Sequence, residues 1–384
     1  VHQPTDKLDA NYRVCYSVYM EERKDLKYWI TLSTHTNLGV KAFLKLQNIS
    51  KDMEEIWNTP IEKLRDKGLG DVVIKAISEL HQTKNPDEEL KKVNKLGIKV
   101  MTVLDKGYPH LLKEIPDPPA VLYVRGELLA SDDLSVAVVG SRDYTYYGRQ
   151  ALEKLVPALV DSGVTIVSGL ALGIDSYAHR EALKNPKGRT VAVLPVGVDR
   201  VYPACHKGLA QEIISRGGAI ISEFPLGTSS LPSNFPIRNR IIAGMSLATL
   251  VIEANIKSGS FITAKAALDY NREVLAVPGS IFSSKSEGTN NLIKMGAKMV
   301  TSTQDIFDEL NIDTKKQEDV VKNIIADSKE EEQILSVLDR EKAEYVDKIA
   351  KLVNIDISVI NSTLVMMEMK GKVKNIGGNL YIRR

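Results

Sequence analysis

The chain has 384 residues, with 51 Lys and Arg against 49 Asp and Glu, a net charge of +2, 43% hydrophobic and 26% charged residues. That leaves room for two or three domains with a large buried core and excludes a fibrous or disordered chain. It also excludes a globally basic nucleic-acid binder, so any affinity for a polyanion must come from a local patch.

The two cysteines, Cys15 and Cys205, lie far apart and have no metal-ligand spacing, which excludes a disulfide framework and fits a reducing compartment. No apolar run reaches the roughly 18 residues that a membrane span requires. Residues 1–19 lack the basic start and apolar block of a secretory leader. A cytoplasmic protein without a membrane span is expected.

In chain order, residues 1–27 read as an N-terminal extension. Residues 1–19 have no clean period, and Met20 opens the charged run Glu21-Glu22-Arg23-Lys24, so either Met20 is the true start or the segment is an ordinary extension. Residues 28–98 read as short helices, with Phe43, Leu44, Ile49, Ile56, Leu64, Val73, Ile74 and Ile77 near helical spacing. Asn37-Leu-Gly-Val-Lys41 and Lys67-Gly-Leu-Gly-Asp71 each put glycine between two helical patterns. These turns read either as helix–hairpin–helix elements whose free N–H groups hold a DNA phosphate, in a SAM-like domain, or as plain joints.

Residues 99–310 read as the main domain. After strand patterns at 99–103 and 121–124, apolar runs near 135–139, 164–167, 190–194, 218–222, 248–252, 273–277 and 298–300 alternate with helical or loop patterns. Near-continuous Val, Ile, Ala and Leu indicate strands buried on both faces, and alternation with helices indicates parallel pairing. The expected fold is α/β, an extended Rossmann-like doubly wound sheet with an N-terminal helical domain and a C-terminal winged helix. Residues 311–328 are polar and read as a linker. Residues 329–384 show three helical patterns and a glycine-turned β pattern, which resembles a winged helix. Its acidic and basic residues balance, so both a protein-contact module and a duplex reader stay open.

Open parallel sheets bind ligands beyond the carboxyl ends of their strands, where helix N-termini offer free N–H groups. The first strand of the main sheet ends in Gly140-Ser141-Arg142, where Gly140 permits close approach, Ser141 offers a hydroxyl and Arg142 a fork of donors for phosphate. No Gly-x-Gly-x-x-Gly follows this strand, so no dinucleotide cofactor is expected, nor any other cofactor or metal. The next strand ends in Ser168-Gly169-Leu-Ala-Leu-Gly-Ile-Asp175, with His179 one turn later. Asp175 reads as a cap for that loop in preference to half of a catalytic pair, since no nucleophile accompanies it.

Phe235-Pro-Ile-Arg238-Asn239-Arg240 combines an aromatic platform for a base with two arginines for phosphates or for bracing. The alternative is that one arginine is internal, paired with Glu253 or Glu223. Lys257-Ser258-Gly259-Ser260 with Lys265 forms a second anion-holding turn, and Ala276-Val-Pro-Gly-Ser280 and Gly288-Thr289-Asn290 add polar turns. So many turns at one edge indicate an extended nucleic-acid strand as ligand, with Ser168, Gly169, Asn239, Lys265, Thr289 and Asn290 expected among its contacts beside the residues named above.

At these residues the chain resembles the DNA-processing protein A family, also called DprA or Smf. The resemblance rests on Gly140-Ser-Arg142 with Tyr147-Gly148, Ser168 to Asp175, Tyr202-Pro203, Phe235 to Gly244, Lys257 to Ser260, Val277-Pro-Gly279 and Gly288-Thr-Asn290, across roughly 100–310. The resemblance implies a non-enzymatic, homodimeric protein that binds single-stranded DNA. It implies loading of RecA recombinase onto strands covered by single-strand-binding protein, in natural transformation and recombination. It also implies Arg142 on phosphate, Phe235 on a base, and Lys257 with Ser258, Gly259 and Ser260 along the groove. Pro195, where the family often has glycine, and Cys205-His206, where asparagine is common, depart from the pattern at one loop. The competing class is a Rossmann-like nucleotide-binding hydrolase, expected to carry Pro-Gly-Gly-x-Gly-Thr followed by Glu, which Pro278-Gly279-Ser280 lacks. A third class is an adaptor whose sheet edge binds only protein.

Overall fold

The computed structural model describes residues 23–256, 258–312, 329–339, 343–369 and 372–383. The expected extension as far as residue 22, Lys257 and the expected linker from 313 lie outside the described residues. The chain divides into two compact units, Val1–Ile312 and Asp313–Arg384.

Among the described residues the first unit begins with the helices α1 (Leu26–Ser33), α2 (Val40–Ile49), α3 (Met53–Asn58), α4 (Ile61–Asp66), α5 (Asp71–Thr83) and α6 (Pro86–Lys95). Gly39 and Gly70 stand at the starts of α2 and α5 with no side-chain cap, each between two helices as the sequence pattern indicates. Trp29 is 0% exposed, stacks on Phe43 with centroids 5.5 Å apart, and donates from Nε1 to Asp25 at 2.8 Å. Arg23 donates to the Thr102 hydroxyl at 2.8 Å, and the Ser33 and Tyr123 hydroxyls are 2.8 Å apart. One hydrophobic cluster therefore runs from Trp29 and Phe43 through Val100 and Tyr123 to Ala137 in the middle of the sheet. The helices share the sheet's core.

That sheet has nine strands: β1 (Lys99–Thr102), β2 (Val121–Gly126), β3 (Ser135–Val139), β4 (Thr165–Ser168), β5 (Thr190–Val193), β6 (Ala219–Ser222), β7 (Ala248–Val251), β8 (Glu273–Ala276) and β9 (Lys298–Met299). Their order is β1-β2-β6-β5-β4-β3-β7-β8-β9. The seven strands from β6 to β9 pair in parallel, while β1 and β2 add an antiparallel edge. The expected parallel-rich α/β sheet is present.

The helices of this half are α7 (His110–Glu114), between β1 and β2, and then α8 (Tyr146–Asp161), α9 (Ile174–Lys184), α10 (Lys207–Ser215), α11 (Asn234–Gly244), α12 (Gly259–Asp269), α13 (Glu287–Lys294) and α14 (Thr303–Glu309). Alternation along β3 sends Val136 and Val138 into a cluster with Leu152, Leu155 and Leu159 of α8. Ala137 and Val139 point the other way, into the cluster holding Ile241 of α11 and Ala264 of α12. Helices thus cover both faces, as the apolar strands require. No single described helix is long and apolar enough to cross a membrane.

The second unit comprises α15 (Lys329–Val337), β10 (Glu344–Tyr345), α16 (Val346–Val353), α17 (Ile357–Met369), β11 (Val373–Gly377) and β12 (Leu380–Arg383). Its three strands pair antiparallel in the order β10-β12-β11 over a core of Ile334, Ile349, Leu364, Val373 and Tyr381.

Because Trp29 joins the α1 helix to the core that reaches the sheet, Trp29→Ala is expected to lower the stability of the first unit by about 3–5 kcal/mol. Urea unfolding followed by circular dichroism checks this, and an unchanged midpoint contradicts it.

Candidate nucleic-acid interface

The chain enters the parallel sheet at β3, winds through β4, β5 and β6 on one side, then crosses to β7, β8 and β9 on the other. The loops after β3, β4, β5, β7 and β8 all leave the same edge, and the strand order reverses between β3 and β7, where such sheets hold ligands.

The loop after β3 is clamped from below. A Cβ on Gly140 would lie 2.8 Å from Ile174 and 2.9 Å from the Glu253 carbonyl oxygen, so only glycine fits. The Ser141 hydroxyl donates to the Asp143 carbonyl at 2.7 Å, and the Ser141 carbonyl accepts from Ile174 N–H at 3.1 Å. Gly173 has φ +84°, and a side chain there would strike the Ser141 carbonyl oxygen. This fixes Arg142, which is exposed and sets its guanidinium 5.4 Å over the centroid of Phe235. No ion pair of Arg142 occurs among the described residues. Tyr202 meets Phe235 edge-on, with centroids 5.6 Å apart and planes at 72°.

These groups surround a shallow cleft of about 50 Å³ whose walls include Arg142, Gly169, Leu172, Tyr202, Phe235 and Arg238. A ligand held here lies across the cleft, not inside it, with cation, aromatic faces and apolar rim presented together. The sequence reading left Tyr202 and Leu172 out of the expected site. The Tyr202-Pro203 pair was a motif, but nothing in it marked the edge-on contact with Phe235.

Phe235 and Arg238 stand three residues apart on α11 and so share a face. Arg238 is only 3% exposed and turns inward, where its Nη1 donates to the carbonyls of Gly169 and Val193. Burial pushes its pKa down to about 10, partly countered by Asp175. Asp175 accepts from Gly169 N–H at 3.1 Å, so it fastens the loop after β4, as the capping reading expected. Burial raises its pKa and Arg238 opposes that rise. Arg240, 9% exposed, donates to Glu223 and to the Asp117 carbonyl, which is the internal pairing held open as an alternative. Of these two arginines one was expected to bind and one to brace; in the structure both brace, Arg238 on the carbonyls of Gly169 and Val193 and Arg240 on Glu223 and the Asp117 carbonyl, oxygens that would otherwise be buried unpaired.

Other expected contacts are also placed differently. Ser168 is buried and donates to the Val138 carbonyl; Thr289 is buried and donates to the Ser286 carbonyl. Asn290 clamps Gly279 through both its N–H and its carbonyl. Ser258 caps α12 and shares a hydrogen bond with buried Ser260, while Gly259 accepts from Asn239. Lys265 is exposed on α12 and is not part of the wall of this cleft. Of the departures in the loop, Pro195 accepts from Asn234 at 3.0 Å, and His206 is buried with Nδ1 2.8 Å from the Leu170 carbonyl. His179 pairs with the Thr190 hydroxyl at 2.7 Å, and no hydrogen bond joins it to Asp175 among the described residues.

The arrangement defines a Rossmann-like protein whose sheet edge presents the Arg142 guanidinium, without an ion pair among the described residues, against aromatic rings. The family model for DNA recombination-mediator protein A matches residues 99–311, and the chain belongs to that family. It is 39% identical over 288 residues to protein Smf of Synechocystis, covering 74% of this chain and 72% of the relative. It is 42% identical over 215 residues to the DNA processing protein DprA of Bacillus subtilis, covering 56% and 72%. Among solved structures, DprA of Streptococcus pneumoniae superposes with a TM-score of 0.63 at 36% identity, over 73% of this chain and 96% of that one. DNA processing protein A of Helicobacter pylori, described for its single-stranded DNA binding mode, superposes with 0.50 at 31% identity, over 56% and 95%.

Arg240→Ala strands Glu223 in the interior and is expected to cost about 3–5 kcal/mol of stability; an unfolding midpoint equal to wild type would make Arg240 a surface group. His179 supplies a pH signature. Burial, with His206 and Arg238 nearby, pushes its pKa from 6.5 down to about 3. Between these values the unfolded imidazole binds a proton and the folded one does not, so stability falls on acidification. From pH 7.5 to 5 this histidine accounts for a loss of about 2 kcal/mol. His179→Gln should remove that increment from urea titrations at the two pH values, and an unchanged pH dependence contradicts the assignment.

Proposed function

We propose that this chain binds single-stranded DNA across the carboxyl edge of its parallel sheet and acts as a recombination mediator, not as an enzyme. The observation that carries the reading is the exposed Arg142 guanidinium seated over Phe235, with Tyr202 against the same ring. A cation that is not consumed by a carboxylate is available to a phosphate, and the half-buried Phe235 ring with the exposed Tyr202 ring beside it offers aromatic surface to a base that is free of a duplex stack. Family membership and the single-strand binding described for the Helicobacter pylori relative support the same ligand.

On this reading the protein works as a homodimer and hands its strand to RecA recombinase, displacing single-strand-binding protein, in the uptake and recombination of DNA. The second unit is read as a winged helix. Its α17 helix carries no basic residue from Ile357 to Glu368, which favours a contact with protein over one with a duplex. The hydrolase reading is weakened because Pro278-Gly279-Ser280 lacks the Pro-Gly-Gly-x-Gly-Thr run that it requires, and no hydrogen bond pairs Asp175 with His179 among the described residues.

Fluorescence anisotropy with labelled oligothymidine is the test. Arg142→Ala is expected to weaken binding on the order of tenfold and to reduce the salt slope by about one phosphate. Phe235→Ala should remove about 1–3 kcal/mol with little change in that slope. Affinity unaffected by either change would overturn the reading. If Arg142→Ala loses DNA and keeps RecA in a pull-down, the adaptor class is excluded.

A further inference from the structure

A second depression opens at the same edge and shares no lining residue with the Arg142 cleft. Its volume is about 500 Å³, and its walls include Thr145, Tyr147, Glu253, Pro278, Ser283 and Ser286. These residues come from the loops after β3, β7 and β8 and, in the case of Tyr147, from the first turn of α8. It is therefore the crevice where the strand order reverses, the position at which open α/β sheets hold small ligands. Pockets of roughly 300–1,000 Å³ suit such molecules. Nothing in the binding of a strand at Arg142 uses it.

Its chemistry differs from that of the cleft. Glu253, 2% exposed, accepts from Thr145 N–H at 2.8 Å and from the Thr145 hydroxyl. Each of its oxygens keeps a second lone pair. The position is constrained, since a Cβ on Gly148 would stand 2.5 Å from Oε2 of Glu253. Tyr147 is 46% exposed and donates its hydroxyl to the Pro278 carbonyl, so its ring is held upright at the cavity wall. Lys285, the cation nearest in sequence, is paired with Asp143 at 2.7 Å.

A carboxylate at the wall repels phosphate and demands a donor. A tyrosine ring beside a proline offers a flat surface for a planar ligand. Among nucleobases, guanine presents two adjacent donors, N1–H and the N2 amine, to match the two carboxylate oxygens. Thymine has one N–H flanked by two carbonyls, which the same carboxylate opposes.

We propose that this switch-point cavity is a nucleobase subsite that takes the donor edge of guanine on Glu253 with the ring against Tyr147. The base comes from the bound strand, in which case the proposal rests on the single-strand reading above, or from a free guanine nucleotide. The β3–α8 loop joins the two sites, with Arg142 facing the cleft and Thr145 and Tyr147 facing the cavity.

The test uses the full chain. Ser283→Trp projects an indole into the cavity and leaves the Glu253–Thr145 contact, and Glu253→Gln replaces one acceptor with a donor. Anisotropy compares oligothymidine with the same strand carrying guanines, and titration calorimetry compares dGMP with dTMP. Wild type should prefer the guanine strand on the order of tenfold. Both variants should lose that preference while retaining the oligothymidine binding that Arg142→Ala weakens.

Heat from dGMP that Ser283→Trp abolishes, without a strand preference, assigns the cavity to the free nucleotide and supports its chemistry. A guanine preference that survives both variants overturns the proposal, as does equal affinity for both strands with no heat from dGMP. Loss of oligothymidine binding in wild type would instead count against the single-strand reading, and the dGMP titration would still decide the cavity.

Discussion

Beneath the cleft a guanidinium with 3% exposure holds three pieces of chain together. Arg238 reaches from α11 to the carbonyls that end β4 and β5, and Asp175 ties the intervening loop at Gly169. An isolated buried cation is costly, and here the carbonyl dipoles and the nearby carboxylate offset that cost. Gly169 is glycine because a side chain would stand 2.5 Å from the guanidinium. Phe235 lies one turn before Arg238 on α11, so bracing this residue also sets the aromatic ring that Arg142 covers. The exposed cation is positioned by the buried one.

The sheet edge is thereby divided into two kinds of surface. Over β3 to β5 it presents Arg142 with the rings of Phe235 and Tyr202, a combination suited to an anion bearing flat groups. Between β3, β7 and β8 it presents Glu253, Tyr147 and serines, a combination suited to a neutral donor. Both depend on close approach between loops. Gly140 lets the β3 loop lie against the Glu253 carbonyl, and Gly148 leaves room for its carboxylate. The serines and asparagines at this edge mostly hold the loops to one another, as Asn290 does for Gly279.

The parallel strands were legible because burial on both faces makes them continuous runs of Val, Ile and Ala, and the structure places β3 to β8 within a residue or two of those runs. The shared core of the helices and the sheet was not legible, because periodicity shows that Trp29 and Phe43 are buried but not against what. Arg142 and Arg238 read alike in sequence, and only the direction of α11 separates the exposed one from the brace. Ser168 and Thr289 were read as ligand contacts for the same reason, since a hydroxyl at a strand or helix end serves a ligand or a neighbouring carbonyl equally well. Glu253 was read only as a partner for an arginine, whereas Glu223 takes that role and Glu253 walls a cavity.

The most direct measurement is photocrosslinking of an oligothymidine in which 5-bromodeoxyuridine replaces single bases, with the attached residues identified by mass spectrometry. The account predicts attachment at Phe235 and Tyr202, lost when Arg142 is replaced. Attachment confined to the α1–α6 helices or to residues 329–383 would contradict it.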